Sequence, residues 1–150
     1  MKQLLINSIR ETALEFGDFT LKSGLKSPFY LDVRKLSLSG KLWIIIEELY
    51  NILERSSSTY IKFDAIGGPS VGADPIVGGY LFKGNDSLRG FLVRPEEKKH
   101  GKGGRIIGPV QKMDSCVVVE DVTTTGGSLL SACNEITQFG ATVVQAITVV

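Results

Sequence analysis

Val117-Val118-Val119-Glu120-Asp121-Val122-Thr123-Thr124-Thr125-Gly126-Gly127-Ser128 is the stretch that decides the fold. With Ser115 and Cys116 before them, the three valines read as an apolar strand buried on both faces. Two carboxylates stand at the end of that strand. A Thr/Gly loop follows, then a helix predicted over Gly127–Phe139 and stopped by Gly140. The first N–H groups of such a helix have no partner within it and carry the positive end of its dipole, so they hold a phosphate. Glycines let the backbone approach the ligand, and the hydroxyls of Thr123, Thr124, Thr125 and Ser128 supply further hydrogen bonds. Carboxylates beside a phosphate are repulsive unless hydroxyls or a cation intervene, so Glu120 and Asp121 suit a phosphorylated sugar better than a bare phosphate. The loop is not a Walker A motif, because the Gly-Lys-Ser/Thr ending is absent.

Strands and helices alternate around this unit from residue 40 onward. Leu42, Ile45, Ile46, Leu49, Ile52 and Leu53 repeat at helical spacing within Gly40–Arg55, with Trp43 in or beside that face. Phe63–Ile66 is a predicted strand running into Gly67-Gly68-Pro69, residues 72–82 a helix, and Gly90–Arg94 a strand. Pro95–Gly108 is charged and glycine-rich and reads as a loop, and Ala141–Val150 is the last strand. The continuous apolar runs at 115–119 and 143–149 imply an α/β fold: a mostly parallel central sheet flanked by helices. Upstream, Leu5, Ile6, Ile9, Ala13, Leu14 and Phe16 form one helical stripe over residues 2–16, which Gly17 ends. Phe19–Leu21 and Phe29–Val33 are short predicted strands around a Ser-Gly and Ser-Pro turn region.

A chain of 150 residues is one domain with a real core. Lys and Arg number 17 against 16 for Asp and Glu, so there is no basic excess to support a nucleic-acid partner. Cys116 and Cys133 read as buried thiols and not as a disulfide scaffold. With His100 the only histidine and no Cys-x-x-Cys pair, the pattern argues against structural zinc. The N-terminal run Leu4-Leu5-Ile6 is broken by Asn7, Arg10 and Glu11, which is not a signal peptide. No stretch approaches the ~18 apolar residues of a membrane span. The expectation is a cytoplasmic protein with no membrane partner.

The Val117–Ser128 run resembles the signature with which type I phosphoribosyltransferases bind 5-phosphoribosyl-1-pyrophosphate (PRPP). The resemblance implies that family's fold, with a small N-terminal hood over residues 1–38 and a PRPP-binding core over 39–150. It implies that Glu120 and Asp121 bind the ribose hydroxyls and that the loop Val122, Thr123, Thr124, Thr125, Gly126, Gly127 and Ser128 cradles the 5′-phosphate. Two more segments narrow the likeness to orotate phosphoribosyltransferases. Phe19–Tyr30 resembles the segment that closes over the pyrimidine, which gives Lys22, Tyr30, Leu31 and also Thr124 as orotate contacts. Arg94-Pro95-Glu96-Glu97-Lys98-Lys99-His100-Gly101-Lys102-Gly103-Gly104 resembles the catalytic loop. There Lys98 and His100, with Asp121, would be catalytic, and Arg94 and Lys99 would bind PRPP. In the family this loop enters the neighbouring subunit's site, so a homodimer sharing residues 95–107 is implied. Mg²⁺ would arrive on PRPP, with no direct protein ligand.

Gly67–Gly79 resembles a second pyrophosphate-contacting loop, although Asp74 also fits a helix N-cap before Pro75. Pro95 stands where many members carry a second basic residue, and Gly72 where some carry a lysine, so the pyrophosphate meets fewer cations. Family members continue past the strand matching Ala141–Val150 to an arginine that pairs with the orotate carboxylate. The chain is expected to be a C-terminally shortened member. A PRPP-binding regulator or a catalytically impaired fragment is the alternative reading.

Overall fold

A computed structural model describes residues 1–20, 24–55, 62–84, 86–97 and 104–150. The chain opens with α1 (Lys2–Thr12), the strands β1 (Leu14–Thr20) and β2 (Lys26–Leu31), and a single turn, α2 (Arg34–Ser37). Then come α3 (Leu42–Tyr50), extended by a π-helical turn over Asn51–Arg55, β3 (Ala65–Pro69), α4 (Asp74–Lys83) and β4 (Arg89–Val93). β5 (Ile106–Ile107), β6 (Ser115–Glu120), α5 (Gly127–Phe139) and β7 (Thr142–Thr148) complete it. β1 and β2 form a separate antiparallel ribbon, the expected hood segment. The central sheet has the order β5-β4-β3-β6-β7, parallel throughout except for β5.

β6 lies inside this sheet because its side chains are apolar on both faces. Val117 and Val119 join one core cluster with α1, α3 and α4, while Cys116 and Val118 join a second with α5. Cys116 is fully buried, and that burial, the main cause, raises its thiol pKa to about 12, so it is an inert core group. α5 spans the expected residues. Gly140 takes a left-handed φ of 101° that residues with a side chain rarely adopt, and closes the helix. No helix among the described residues is long and apolar enough to cross a membrane.

Several elements differ from expectation: β3 starts at Ala65 and runs through the glycines to Pro69, and β2 covers Lys26–Leu31, with Val33 capping α2. The helix predicted over residues 2–16 stops at Thr12, and Leu14 and Phe16 belong to β1. Those two apolar positions fit a two-residue repeat as well as a helical one, and pairing with Leu31 and Phe29 of β2 decides between them. Gly17 therefore stops no helix; it sits where the β1–β2 pairing shifts register, between Phe16 and Phe19. Phe16 is 81% exposed, so it is not part of a core stripe. Within the loop predicted for 95–108, Ile106 and Ile107 pair with Val93 and Leu92 as an antiparallel edge strand. The sequence reading also lacked α2, and Trp43 is half exposed at the side of α3.

Beneath the sheet, the buried Asp114 carboxylate accepts Arg89 Nε at 2.9 Å, Arg89 Nη2 at 2.6 Å and the Gln111 N–H at 2.8 Å. Burial pushes its pKa up, but the Arg89 and Gln111 hydrogen bonds outweigh this and leave it below its ordinary 3.8. A folded-state value below the unfolded one stabilises the protein fully above the ordinary value and is lost as pH falls through the folded value. Asp114→Asn should therefore be less stable than the wild type in urea at neutral pH. The gap should narrow below the ordinary aspartate value of 3.8. A gap independent of pH would show that the pair's charge contributes nothing.

Candidate active site at the ends of β3 and β6

β6 delivers Glu120 and Asp121 to the carboxyl edge of the sheet, where ligands of open α/β folds bind. Glu120 is buried; its Oε1 accepts a hydrogen bond from the Ser128 hydroxyl. Glu120 Oε2 and Thr123 Oγ1 are buried and make no hydrogen bond to the described residues. Polar atoms left in that condition cost free energy until something pairs with them. Between them the chain is held open by backbone bonds: Thr123 N–H donates to Val150 O at 2.8 Å, and Val150 N–H to Asp121 O at 3.2 Å. Gly126 then adopts a left-handed φ of 78° to begin α5. Thr124, Thr125, Gly127 and Ser128 are exposed around that helix start, open to a ligand. The structure thus gathers Glu120–Ser128 into one cradle.

The β3–α4 loop forms the opposite wall. Gly68 packs so closely on β6 that a Cβ there would fall well inside contact with Val119 O and 2.8 Å from the Ala73 Cβ. A Cβ on Gly72 would strike the Asp121 carboxylate itself. The space beside Gly72 is thus taken by the Asp121 carboxylate. Asp74 is not the N-cap, a position held by Ala73; it lies in the first turn of α4, and its Oδ1 accepts the Ser70 hydroxyl at 2.7 Å. The Ser70–Val71 peptide in this loop is cis.

From the hood, Tyr30 is partly exposed and its ring lies 5.5 Å from that of Phe19. Leu31 and Val122 both pack against the core cluster that contains Val119. Arg94 marks the base of the candidate catalytic loop. Its N–H donates to Arg105 O at 2.9 Å, and its carbonyl accepts Arg105 Nε at 2.7 Å. Arg105 in turn reaches Glu135 and Ser131 on α5 and pins the returning strand. Lys22, Lys98, Lys99 and His100 lie outside the described residues. Sequence reasoning passed over Arg105 and the Asp32–Arg34 pair at the hood's base. Their ion pairing was the only available signal, and Arg105 finds Glu135 thirty residues away.

A cavity of about 460 Å³ lies behind Glu120, between α1, α3 and the β6–β7 face, lined by Leu5, Ile9, Leu49, Val119, Ile147 and Val149 among others. Its apolar wall is unsuited to a phosphate. No group of three or more metal-ligating side chains occurs among the described residues.

No protein-family model matches the chain. It is 41% identical over 151 aligned residues to the orotate phosphoribosyltransferase of Pyrococcus horikoshii, covering all of this chain and 79% of the relative. The chain belongs to the orotate phosphoribosyltransferase family. A second orotate phosphoribosyltransferase, from Rhodopirellula baltica, is 40% identical over 141 residues, covering 91% of this chain and 73% of that one. Among solved structures, a phosphoribosyltransferase from Corynebacterium diphtheriae superposes with a TM-score of 0.79 at 31% identity, covering 98% of this chain and 80% of its own. The Mycobacterium tuberculosis orotate phosphoribosyltransferase, solved in complex with PRPP, gives 0.73 at 26% identity, with 97% and 79% covered. Orotate phosphoribosyltransferases are pentosyltransferases, and the type I phosphoribosyltransferase fold expected from the sequence is the one found.

Proposed function

We propose that the chain transfers phosphoribose from PRPP to orotate, giving orotidine 5′-monophosphate and pyrophosphate. One observation supports this most: the cradle segment holds a buried carboxylate oxygen and a buried hydroxyl that have no hydrogen-bond partner among the described residues. Glu120 Oε2 can accept from a ribose hydroxyl, and Thr123 Oγ1 can donate to a phosphate oxygen. Asp121 is the second acceptor for the sugar. The exposed turn Thr124–Ser128 takes the 5′-phosphate, and Tyr30, Leu31, Thr124 and Lys22 line the base.

In the reaction a ring nitrogen of deprotonated orotate forms a bond to the ribose anomeric carbon. The bond from that carbon to the pyrophosphate oxygen breaks, and its electron pair leaves with pyrophosphate. The oxocarbenium-like ribose needs no protein nucleophile. Its carboxylate neighbours Glu120 and Asp121 hold the ring in place, and their charge favours the cation. Arg94, Lys98 and Lys99 neutralise the departing group, and Lys98 or His100 gives it a proton. Mg²⁺ carried on PRPP would supply further positive charge at the pyrophosphate, with no direct protein ligand, while Glu120 and Asp121 keep the sugar hydroxyls. The test is the loss of orotate absorbance with PRPP and Mg²⁺, with hypoxanthine and uracil as controls. A folded chain that consumes a control base instead, or no base, would refute the assignment.

The working unit is proposed to be a cytoplasmic homodimer that shares the 95–107 loop. The bonds that join Arg94 to Arg105 at the two ends of this segment support the reading. Mixing Lys98→Ala and Asp121→Asn chains should restore activity, because one hybrid site then has both native residues. Mixed dimers no more active than their parents would end this proposal.

A further inference from the structure

We propose that Arg105 is a positioning residue for the transfer: it fixes Arg94, the cation assigned to pyrophosphate, to the helix that begins at the 5′-phosphate cradle. The inference rests on Arg94 meeting the pyrophosphate end of PRPP.

Arg105 stands where two parts of the fold meet. Its backbone belongs to the limb that returns to the sheet edge. Ile106 pairs there with Val93 and Ile107 with Leu92, and a Cβ on Gly108 would overlap Gly90 O, so this limb lies tightly against β4. The contact continues past the end of β4. Arg94 N–H donates to Arg105 O at 2.9 Å, and Gly104 N–H donates to Glu97 Oε1 at 3.2 Å. The Arg105 side chain leaves the limb for α5. Its Nη1 donates to Glu135 Oε2 at 3.2 Å and its Nη2 to Ser131 Oγ at 3.1 Å, while Nε turns back to Arg94 O at 2.7 Å. Arg94 is thus held at both its N–H and its carbonyl by one residue, and that residue is anchored at two points on α5. A planar guanidinium can serve three acceptors on two elements at once, and the point charge of lysine cannot.

The two ends of this tie concern different parts of PRPP. α5 starts at Gly127, in the turn assigned to the 5′-phosphate, and Ser131 lies one helical turn further on. Arg94 stands at the other end. It is half-buried, and its guanidinium makes no hydrogen bond to the described residues. Arg105 instead has its charge answered by Glu135, with the two side chains only 24% and 26% exposed. Of two neighbouring cations, one is neutralised and fixed, and the other keeps its charge for an anion. A cation already set at the right distance from the cradle meets both ends of PRPP without first being ordered, and that ordering otherwise weakens binding.

Two ligands isolate the effect. PRPP and orotidine 5′-monophosphate share the ribose and the 5′-phosphate, and only PRPP carries pyrophosphate. In calorimetric titrations with Mg²⁺, Arg105→Ala should weaken PRPP by roughly tenfold, the worth of one charge-assisted contact, and leave orotidine 5′-monophosphate unchanged. Arg94→Ala should show the same selective loss. The double variant should bind PRPP no more weakly than Arg94→Ala alone, because Arg105 acts through Arg94. Arg105→Lys keeps the charge and loses the fork, and should stay weakened. Glu135→Gln loses only the charge partner, and should give a smaller loss with the same selectivity even if the alanine variant does not fold. Equal weakening of both ligands in Arg105→Ala or Glu135→Gln would reveal a residue that merely supports α5, and would overturn the inference. So would losses that add in the double variant, since Arg105 would then meet PRPP by itself, or full PRPP affinity in Arg105→Lys. Unchanged PRPP binding in Arg94→Ala would remove Arg94 from the pyrophosphate, and this inference with it. A wild type that binds neither ligand would instead refute the functional assignment.

Discussion

Gly68→Ala should cost the fold roughly 3 kcal/mol, the upper end of what overpacking a close-packed interior usually costs. A Cβ at this position has nowhere to go. It would overlap Val119 O, and 2.8 Å away it would meet the Ala73 Cβ. The first obstacle is backbone of β6, which pairs with β3 on one side and β7 on the other, so it cannot move without disturbing the sheet. The same displacement would shift Glu120 and Asp121, so the variant should lose ligand binding together with stability. Urea denaturation measures the first effect. Gly78→Ala is the control: Gly78 is exposed in α4 with open space where its Cβ would go, and alanine there should stabilise by up to about 1 kcal/mol. If Gly68→Ala were as stable as the wild type, the β3–α4 loop would not pack on β6 as described.

The second large effect falls on binding and spares the fold. Asp121→Asn should weaken PRPP by about 1.5–3 kcal/mol, one to two powers of ten, through loss of a charged acceptor at the ribose hydroxyls. Asp121 is only half-buried, and its side chain accepts no hydrogen bond from the described residues, so stability should hardly change. Gly72→Ala reaches the same end by another route. Its methyl group would occupy the position of the Asp121 carboxylate and push it from the site. Calorimetry with PRPP and Mg²⁺ should give losses of similar size for the two variants. Unchanged affinity in a folded Asp121→Asn chain would remove this carboxylate from the sugar site.

Asp121 was legible because a local pattern announces it. A buried strand, an acid pair, a hydroxyl-rich turn and a glycine-started helix lie within one short run, and each step follows from neighbouring residues alone. The same holds for α5, whose ends are set by glycines at Gly126 and Gly140 in left-handed conformations. What Gly72 does was not legible: one glycine in a loop says nothing of a carboxylate nearly fifty residues later.

By itself, then, the sequence determined the α/β class, the β6–cradle–α5 unit and the position of the acids, all of which rest on short-range periodicity and caps; the family likeness came from the resemblance of Val117–Ser128, Phe19–Tyr30 and Arg94–Gly104 to that family's motifs. Tertiary structure alone decided three things. It ended α1 at Thr12, because Leu14 and Phe16 satisfy two repeats at once and only β2 breaks the tie. It made Ile106–Ile107 a strand, because two residues are too few to form one without β4 beside them. It built the Arg105 stem, because a charged side chain carries no signal of its partner until folding brings the two within hydrogen-bonding distance.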